Sequence, residues 1–401
     1  MPVRSARSPR MMRRMNWEAV LRYALDTDEF TAADMMRATG LTRATVLDVC
    51  ADLASRGWLE ELSDPQLPST GRPGRPSRHY RLPTSAGLLL GLDAGEHRFR
   101  AMVTDLRGRQ LGARELLLPA PSGSGPERLS AASALAAELL DEVGADPGEV
   151  LVSVVGVPAP VDGEGRSPAH DKGFWSLMNP GFGTALPGRV SVENDANLAA
   201  VAERAQLDTA GNMATLLSGE RLGAGLIVDG RLLHGARGGA GELHALDIVA
   251  GAGSPDGLAA LARTWALELF TDQPAARHGV PPPNGTVDAA WVFQAAERGI
   301  PGAEQIVVRL GSRLARVAMI LASLLDVTTI VVAGAIAASI EPVLRVAREQ
   351  LDADYPPPAP EILASSLGGD VVVLGAIERA RHLLRADPLG FVPPHPAPPS
   401  D

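Results

Sequence analysis

The sequence predicts an α/β protein in which two α/β lobes follow a small N-terminal module of helices and a wing. Three observations predict it. Helical apolar spacing over the first sixty residues gives way to two short strand-like runs with a Gly- and Pro-rich tip between them. From Leu88 the pattern changes to short apolar or alternating runs separated by turns, which is a β-meander. Alternating strand and helix signals then follow, and the whole series is given twice, which favours two α/β lobes over a single α/β domain without a cleft.

Composition sets the outer bounds. A chain of 401 residues with 45% hydrophobic side chains has room for two or three domains and a sizeable core. Its net charge of −10 is unevenly spread. Residues 1–83 carry 13 Arg against 10 Asp and Glu, so the front is basic and the remainder strongly acidic. That asymmetry points to one module that meets nucleic acid, or to a basic tail with no partner. Lys172 is the only lysine and Cys50 the only cysteine. An intrachain disulfide and a thiolate zinc cluster are therefore excluded. No apolar run reaches the roughly 18 residues that would span a bilayer, so no membrane partner is expected. The N-terminal arginines have no hydrophobic segment behind them, so a secretory signal is not expected and the cytoplasm is.

Residues 1–15 read as a basic tail that frays, and 16–83 as one module. A first helix is predicted over Trp17–Leu25. A second begins at Thr31, whose hydroxyl caps it with Asp34 three residues on, and ends before Gly40. Thr42 caps a third that runs to Ser55, with Val46, Val49, Cys50 and Leu53 on one face. Cys50 is expected to pack in the core. Two helices joined by a tight turn form either a helix-turn-helix or an ordinary helical hairpin. A groove-reading helix needs polar side chains at its N-terminal end, and Thr42, Arg43 and Thr45 stand there. The segment that follows tips the balance: Gly57–Leu62 and His79–Leu82 read as two strands around Gly71-Arg72-Pro73-Gly74-Arg75-Pro76. Proline keeps such a tip extended and glycine permits close approach. Arg72 and Arg75 would then lie in a narrow A·T-rich minor groove; the alternative is a flexible arginine-bearing linker. The partner expected is double-stranded DNA.

Strands are predicted over 88–94, 99–106, 111–118, 150–156 and 190–193, with helices over 127–143 and 196–205. A second series follows: a strand at 213–219, a hairpin at 223–233 turning at Asp229-Gly230, helices at 258–270, 288–298 and 303–325, a strand at 329–334, a helix at 340–352, and a last strand–helix pair over 361–384. The expected lobes are 87–205 and 206–385, with 386–401 a loose Pro-rich tail.

Five segments now carry a resemblance. Gly156-Val157-Pro158-Ala159-Pro160-Val161-Asp162, Asn179-Pro180-Gly181-Phe182, Val192-Glu193-Asn194-Asp195-Ala196-Asn197, the glycine-rich Gly223–Gly230 and Ala240-Gly241-Glu242-Leu243 resemble, in order, motifs of the ROK family of repressors and sugar kinases. The module in front is similar to that of the family's repressor branch. The resemblance implies a two-lobed actin-like, ribonuclease H-like fold of the sugar-kinase type, a sugar or sugar-derivative ligand in the cleft, and a homodimer or higher homo-oligomer.

The departures matter as much. Where family kinases carry D-x-G-G-T-K, this chain reads Asp93-Ala94-Gly95-Glu96-His97-Arg98, with a carboxylate where phosphate charge should be welcomed. The second phosphate loop reads Gly219-Glu220-Arg221-Leu222-Gly223, again with a carboxylate, and the nucleotide-side G-G turn becomes Ala333-Gly334-Ala335. Ala245 stands at the family's zinc-binding histidine, and Gly251, Gly253 and Leu258 near its cysteines. No metal, no cofactor and no kinase activity are expected. Of the sugar side, Asn194, Asp195, Glu242 and His244 remain as candidate ligand contacts, while Ala260 replaces a later glutamate. The resemblance makes Asp195 the base that would deprotonate a sugar hydroxyl; a helix N-cap is its structural alternative. The expectation is a DNA-binding transcriptional regulator, most simply a repressor, with a degenerate kinase-type sensor. The alternatives are an ATP-dependent sugar kinase and a regulator without a small ligand.

Overall fold

The computed structural model describes residues 9–62, 78–118, 123–169, 173–207, 211–272 and 287–394. The N-terminal module comprises α1 (Pro9–Asp26), β1 (Phe30–Thr31), α2 (Ala32–Thr39), α3 (Arg43–Ser55), β2 (Glu60–Leu62) and β3 (His79–Arg81). Thr31 and Asp34 form a reciprocal capping box at α2, and Gly40 closes it in the left-handed region at φ 71°. The predicted face of α3 is buried, and it packs with Val20, Leu21, Met35 and Phe30. Burial pushes the Cys50 thiol up to about 12, so this cysteine is an inert core residue. The wing strands join β1 in a sheet of order β1-β3-β2. The wing tip, with Arg72 and Arg75, lies outside the described residues.

Helix α1 corrects the expected tail over residues 1–15, because it begins at Pro9. Arg14 reaches Glu18 one turn on at 3.0 Å, Arg13 pairs with Asp52 of α3, and Arg13 and Arg56 both lie over the Trp17 ring. These contacts hold the basic first turns in helix.

The first lobe contains β4 (Leu88–Ala94), β5 (Arg98–Asp105), β6 (Gln110–Leu117), α4 (Gly125–Glu142), β7 (Val150–Val157), α5 (Phe174–Met178), β8 (Arg189–Asn194) and α6 (Asp195–Leu207). Its sheet has order β6-β5-β4-β7-β8, antiparallel through the meander and parallel from β4 to β8. Strands β4 and β7 are covered on both faces, which is why they read as unbroken apolar runs.

The second lobe contains β9 (Met213–Ser218), β10 (Leu222–Val228), β11 (Arg231–Leu232), α7 (Leu258–Asp272), α8 (Ala289–Glu297), α9 (Pro301–Leu325), β12 (Thr329–Ala333), α10 (Glu341–Asp354) and β13 (Glu361–Ala364), followed by α11 (Val371–Ala386). Its sheet order, β11-β10-β9-β12-β13, repeats that of the first lobe strand for strand. The β10–β11 hairpin turns at Asp229 and Gly230, both with positive φ.

Helices α6 and α11 link the lobes. Each follows the last strand of one sheet; α6 packs on β7 and β8 of its own lobe and on β9 and β10 of the other, and α11 packs on α6 and on β4 and β7 of the first lobe. At their crossing a side chain on Gly375 would lie 1.9 Å from the Leu198 carbonyl, so the two backbones are in direct contact. This crossing corrects the expected boundary of the second lobe at 385, since α11 returns to cover β4 and β7 of the first. The expected loose tail from 386 is also corrected in part: 388–390 form a helical turn and Phe391 is buried in the same core.

Candidate nucleic-acid interface and ligand cleft

At the front, the α3 N-terminus is presented to solvent. Thr42 caps it, its Oγ1 accepting from the Thr45 amide at 3.3 Å and lying 2.9 Å from the Thr45 hydroxyl. Thr42 and Arg43 are exposed; Thr45 is half-buried and its hydroxyl already has a partner. Arg43 has no protein partner among the described residues. The wing strands carry two ion pairs, Arg78–Glu61 at 3.0 Å and Arg81–Glu60.

The module is tied to the first lobe by polar contacts absent from any motif. Arg22 donates to the carbonyls of Arg385 and Ala386 at the end of α11, at 3.0 and 3.4 Å. Arg385 pairs with Asp26, and Arg14 with Asp387 at 3.3 Å. From the β5–β6 turn, Arg107 donates to the Thr27 and Asp28 carbonyls at 3.2 and 3.1 Å and pairs with Asp28 at 2.9 Å.

Between the lobes, β8 delivers Asn194 and Asp195 to the start of α6. Asn194 turns inward: its Oδ1 accepts from the Asn197 amide at 3.0 Å and its Nδ2 donates to the Ala159 carbonyl at 3.1 Å. The side chain predicted to hold a ligand is thus the helix cap, and it braces the Gly156–Asp162 turn. Asp195 remains at the cleft, half-buried, with Oδ1 accepting from the Ala196 amide at 2.8 Å. Burial, with the nearby charges of Asp93 and Glu242, pushes its carboxyl up to about 8. Burial likewise lifts Asp93 to about 6, against the pull of Arg98 and Arg100. Both shifts run in the same direction, so the cleft favours the protonated form of each carboxyl relative to water.

Glu242 and His244 do come together with Asp195 on the second-lobe side. Glu242 is paired with Gly223 of β10 by a bridge and lies 3.4 Å from His244 Nε2. The His244 ring lies against Trp175 of α5, with ring centres 5.3 Å apart and planes tilted by 45°. Beside it, Arg221 lies 4.1 Å over Phe174. Helix α5 therefore reaches from the first lobe to grip the second by two aromatic contacts. Sequence reading missed Trp175, whose signal was an aromatic pair just before the Asn179 loop. It also missed His234, which lies 2.8 Å from Glu193 across the lobes. Burial works against the Glu193 charge, but His234, Asn197 and the Asn194 amide hold its carboxyl below the usual range; Glu193 in turn raises His234.

The two loops that resemble phosphate cradles face one another, since His97 of the first helps hold the Glu220 carboxyl of the second below its ordinary value. Glu220 is bound by both guanidinium nitrogens of Arg263, at 3.0 and 2.7 Å, which is the main cause of that lowering. The first turn is held from behind by the buried Arg128, which donates to the carbonyls of Ala94 and Gly95 at 2.8 and 3.0 Å.

The loop at the family's zinc position does not fit a metal. Among the described residues no group of three or more His, Cys, Asp and Glu side chains could hold one. A cation of another kind stands there: Arg313, 3% exposed on α9, donates to the carbonyls of Ala252, Ser254 and Asp256. Ala260 is buried within α7 and offers a ligand only a methyl group. Sequence reading missed Arg313, although an arginine among Leu310, Leu314 and Val317 on the buried face of α9 was a signal.

Two lobes of one strand order, joined by crossing helices around an acidic cleft and preceded by a winged helix-turn-helix, define a sugar-kinase-type protein with an added N-terminal module. The chain belongs to the ROK family, whose sequence profile matches residues 89–382. Among curated proteins it is similar to the bifunctional enzyme NanE/NanK of Brucella melitensis, 29% identical over 289 residues, 69% of this chain and 51% of that one. It is also similar to a glucokinase of Halalkalibacterium halodurans, 28% identical over 48% of this chain and 63% of that one. The chain thus spans about half the length of the bifunctional relative. A ROK family glucokinase from Streptomyces griseus, solved with glucose and AMPPNP, superposes with a TM-score of 0.61 at 25% identity, over 74% of this chain and all of that one. A ROK family transcriptional regulator, a homolog of the E. coli MLC protein, superposes with a TM-score of 0.69 at 18% identity, over 93% of this chain and 98% of that one. That fold match includes the N-terminal module. No helix of the described residues is long and apolar enough to cross a membrane.

Proposed function

We propose that this protein is a sequence-specific DNA-binding transcriptional regulator whose kinase-type cleft serves as a sensor. The observation that carries the proposal is the capped N-terminus of α3, exposed and with Arg43 unpartnered among the described residues, on a module whose wing continues into Gly-Arg-Pro repeats. In the cleft, Glu96 stands at the first phosphate loop, where it opposes a triphosphate, and at the second Glu220 replaces a small residue and is tied to Arg263. A sugar or sugar derivative entering between Asp195, Glu242, His244 and Trp175 acts by favouring one lobe arrangement over another. A homodimer fits the two half-sites of a palindromic operator.

The test is selection of bound fragments from genomic DNA, followed by a salt titration on the enriched duplex. Arg72→Ala with Arg75→Ala is expected to weaken binding and to lower the slope of log K against log salt by about 2. Indifference of the protein to duplex DNA at low ionic strength would remove the proposal.

A second reading, an ATP-dependent sugar kinase, is favoured by one observation: Asp195 stands at the cleft at the start of α6, at the position the family resemblance gives to a general base, with burial raising its carboxyl. A coupled assay of ATP turnover across hexoses and amino sugars, with Asp195→Ala as control, separates the two.

A further inference from the structure

On the far side of α6 from Asp195 lies a cavity of about 350 Å³ whose walls come from α6, α11 and the β10–β11 hairpin. Arg204, Arg379, His382 and Glu378 line it, with Gly230 and Leu232 from the hairpin. Its electrostatics are one-sided. Glu378 is already committed, to Arg381 at 2.6 Å and to His382 at 3.1 Å, and these partners hold its carboxyl down to about 2. Among the described residues Arg204 and Arg379 have no carboxylate or carbonyl partner, and the buried Nη1 of Arg204 and Nε of Arg379 meet no hydrogen-bond partner there. Arg204 Nη2 lies against the hairpin turn, 3.4 Å from where a side chain on Gly230 would begin. Arg379 is near enough to oppose protonation of His234.

Two guanidinium groups in one recess with no carboxylate partner among the described residues, each with a buried nitrogen unsatisfied there, are costly unless a counter-charge joins them. Such forks suit the tetrahedral oxygens of a phosphate, and a phosphate monoester is close to a dianion at neutral pH. The volume accommodates a phosphorylated monosaccharide, being at the small end of ligand pockets. We propose that this hinge cavity is a binding site for a small phosphate-bearing anion, held between Arg204 of α6 and Arg379 of α11 and separate from the Asp195 cleft.

The placement gives occupancy a route to the front of the molecule. From Arg379 to Arg385 is six residues of α11, a rise of about 9 Å, and Arg385 and its carbonyl hold Asp26 and Arg22 of the N-terminal module. An anion that fixes α11 against α6 and the hairpin therefore bears on the helix to which that module is docked.

The site is tested on the full chain without DNA, so its failure is distinct from failure of the regulator reading. Thermal unfolding is followed with inorganic phosphate, glucose 6-phosphate or glucose, at ionic strength matched with chloride. Glucose 6-phosphate is expected to raise the midpoint, and the shift is expected to survive Asp195→Asn. Titration should show binding weakened at least about tenfold by Arg204→Gln or Arg379→Gln, with Arg379→Lys intermediate as a folded, charge-retaining control. Stabilisation by inorganic phosphate as well would assign recognition to the phosphate group alone; stabilisation by glucose 6-phosphate only would assign it to the sugar phosphate. No shift with either anion, a shift that both glutamine variants retain, or one that Asp195→Asn abolishes would overturn the proposal.

Discussion

Arg313→Met removes the cation at the centre of the 252–256 loop while keeping much of the side-chain volume. Three backbone carbonyls lose their donor. A buried acceptor left unsatisfied costs about 1–3 kcal/mol. Ala252 is buried and bears that cost in full, whereas the carbonyls of Ser254 and Asp256 lie nearer the surface and are partly rehydrated. The expected loss is about 2–4 kcal/mol, or roughly 5–15 °C in the melting of the second lobe. Trp265 lines the same recess, so its fluorescence reports the transition. Arg313→Lys, which keeps the charge but not the fork, should fall between. Because the guanidinium alone bridges these carbonyls, a chelator should leave the wild-type midpoint unchanged. A loss below about 1 kcal/mol in Arg313→Met, or a lower midpoint in chelator, would refute the reasoning.

Other expectations concern the ionisable groups and the docking contacts. The Asp195 carboxyl is raised in the folded state to about 8, so folding favours its proton. Its contribution is greatest below the ordinary carboxylate range and declines as pH rises toward 8; Asp195→Asn should therefore gain relative stability between pH 5 and pH 8 in urea melts, and a parallel pair of pH profiles would contradict this. His234 is also raised, by Glu193, so its contribution is complete below about 6.5, its unperturbed value, and fades as pH climbs through its higher folded value. The ring is exposed enough that His234→Gln should cost under about 1 kcal/mol at pH 6 and less at pH 9, checked by the same melts. At the module interface, a double-mutant cycle on Asp26→Ala and Arg385→Ala should give a coupling of about 0.2–1 kcal/mol in stability, and zero coupling would show that this contact does not hold the module.

Much of the fold was legible because local and global signals agreed. Strand β4 was found residue for residue, since burial on both faces leaves no polar interruption. The caps at Thr31 and Thr42 were readable because their partners lie three residues away. Strand β1 has two residues and no periodicity to detect. The start of α1 depends on pairing between Arg13 and Asp52, 39 residues apart, and the bridging by Arg313 spans 61 residues to Ala252. Side-chain spacing alone does not encode such long-range partners. Motif position brought Asn194, Asp195, Glu242 and His244 to the right region, but it did not show that the Asn194 amide turns inward to cap α6.

The return of α11 to the first lobe has a consequence for how the chain matures. Its residues shield one face of β4 and β7, yet the ribosome makes them only after the whole second lobe. Until then that face of the earlier sheet lacks the cover of α11, and the docking surface for the N-terminal module is missing its Arg385 and Asp387 contacts. The first sheet therefore completes its cover only through contacts distant in sequence, which slow assembly.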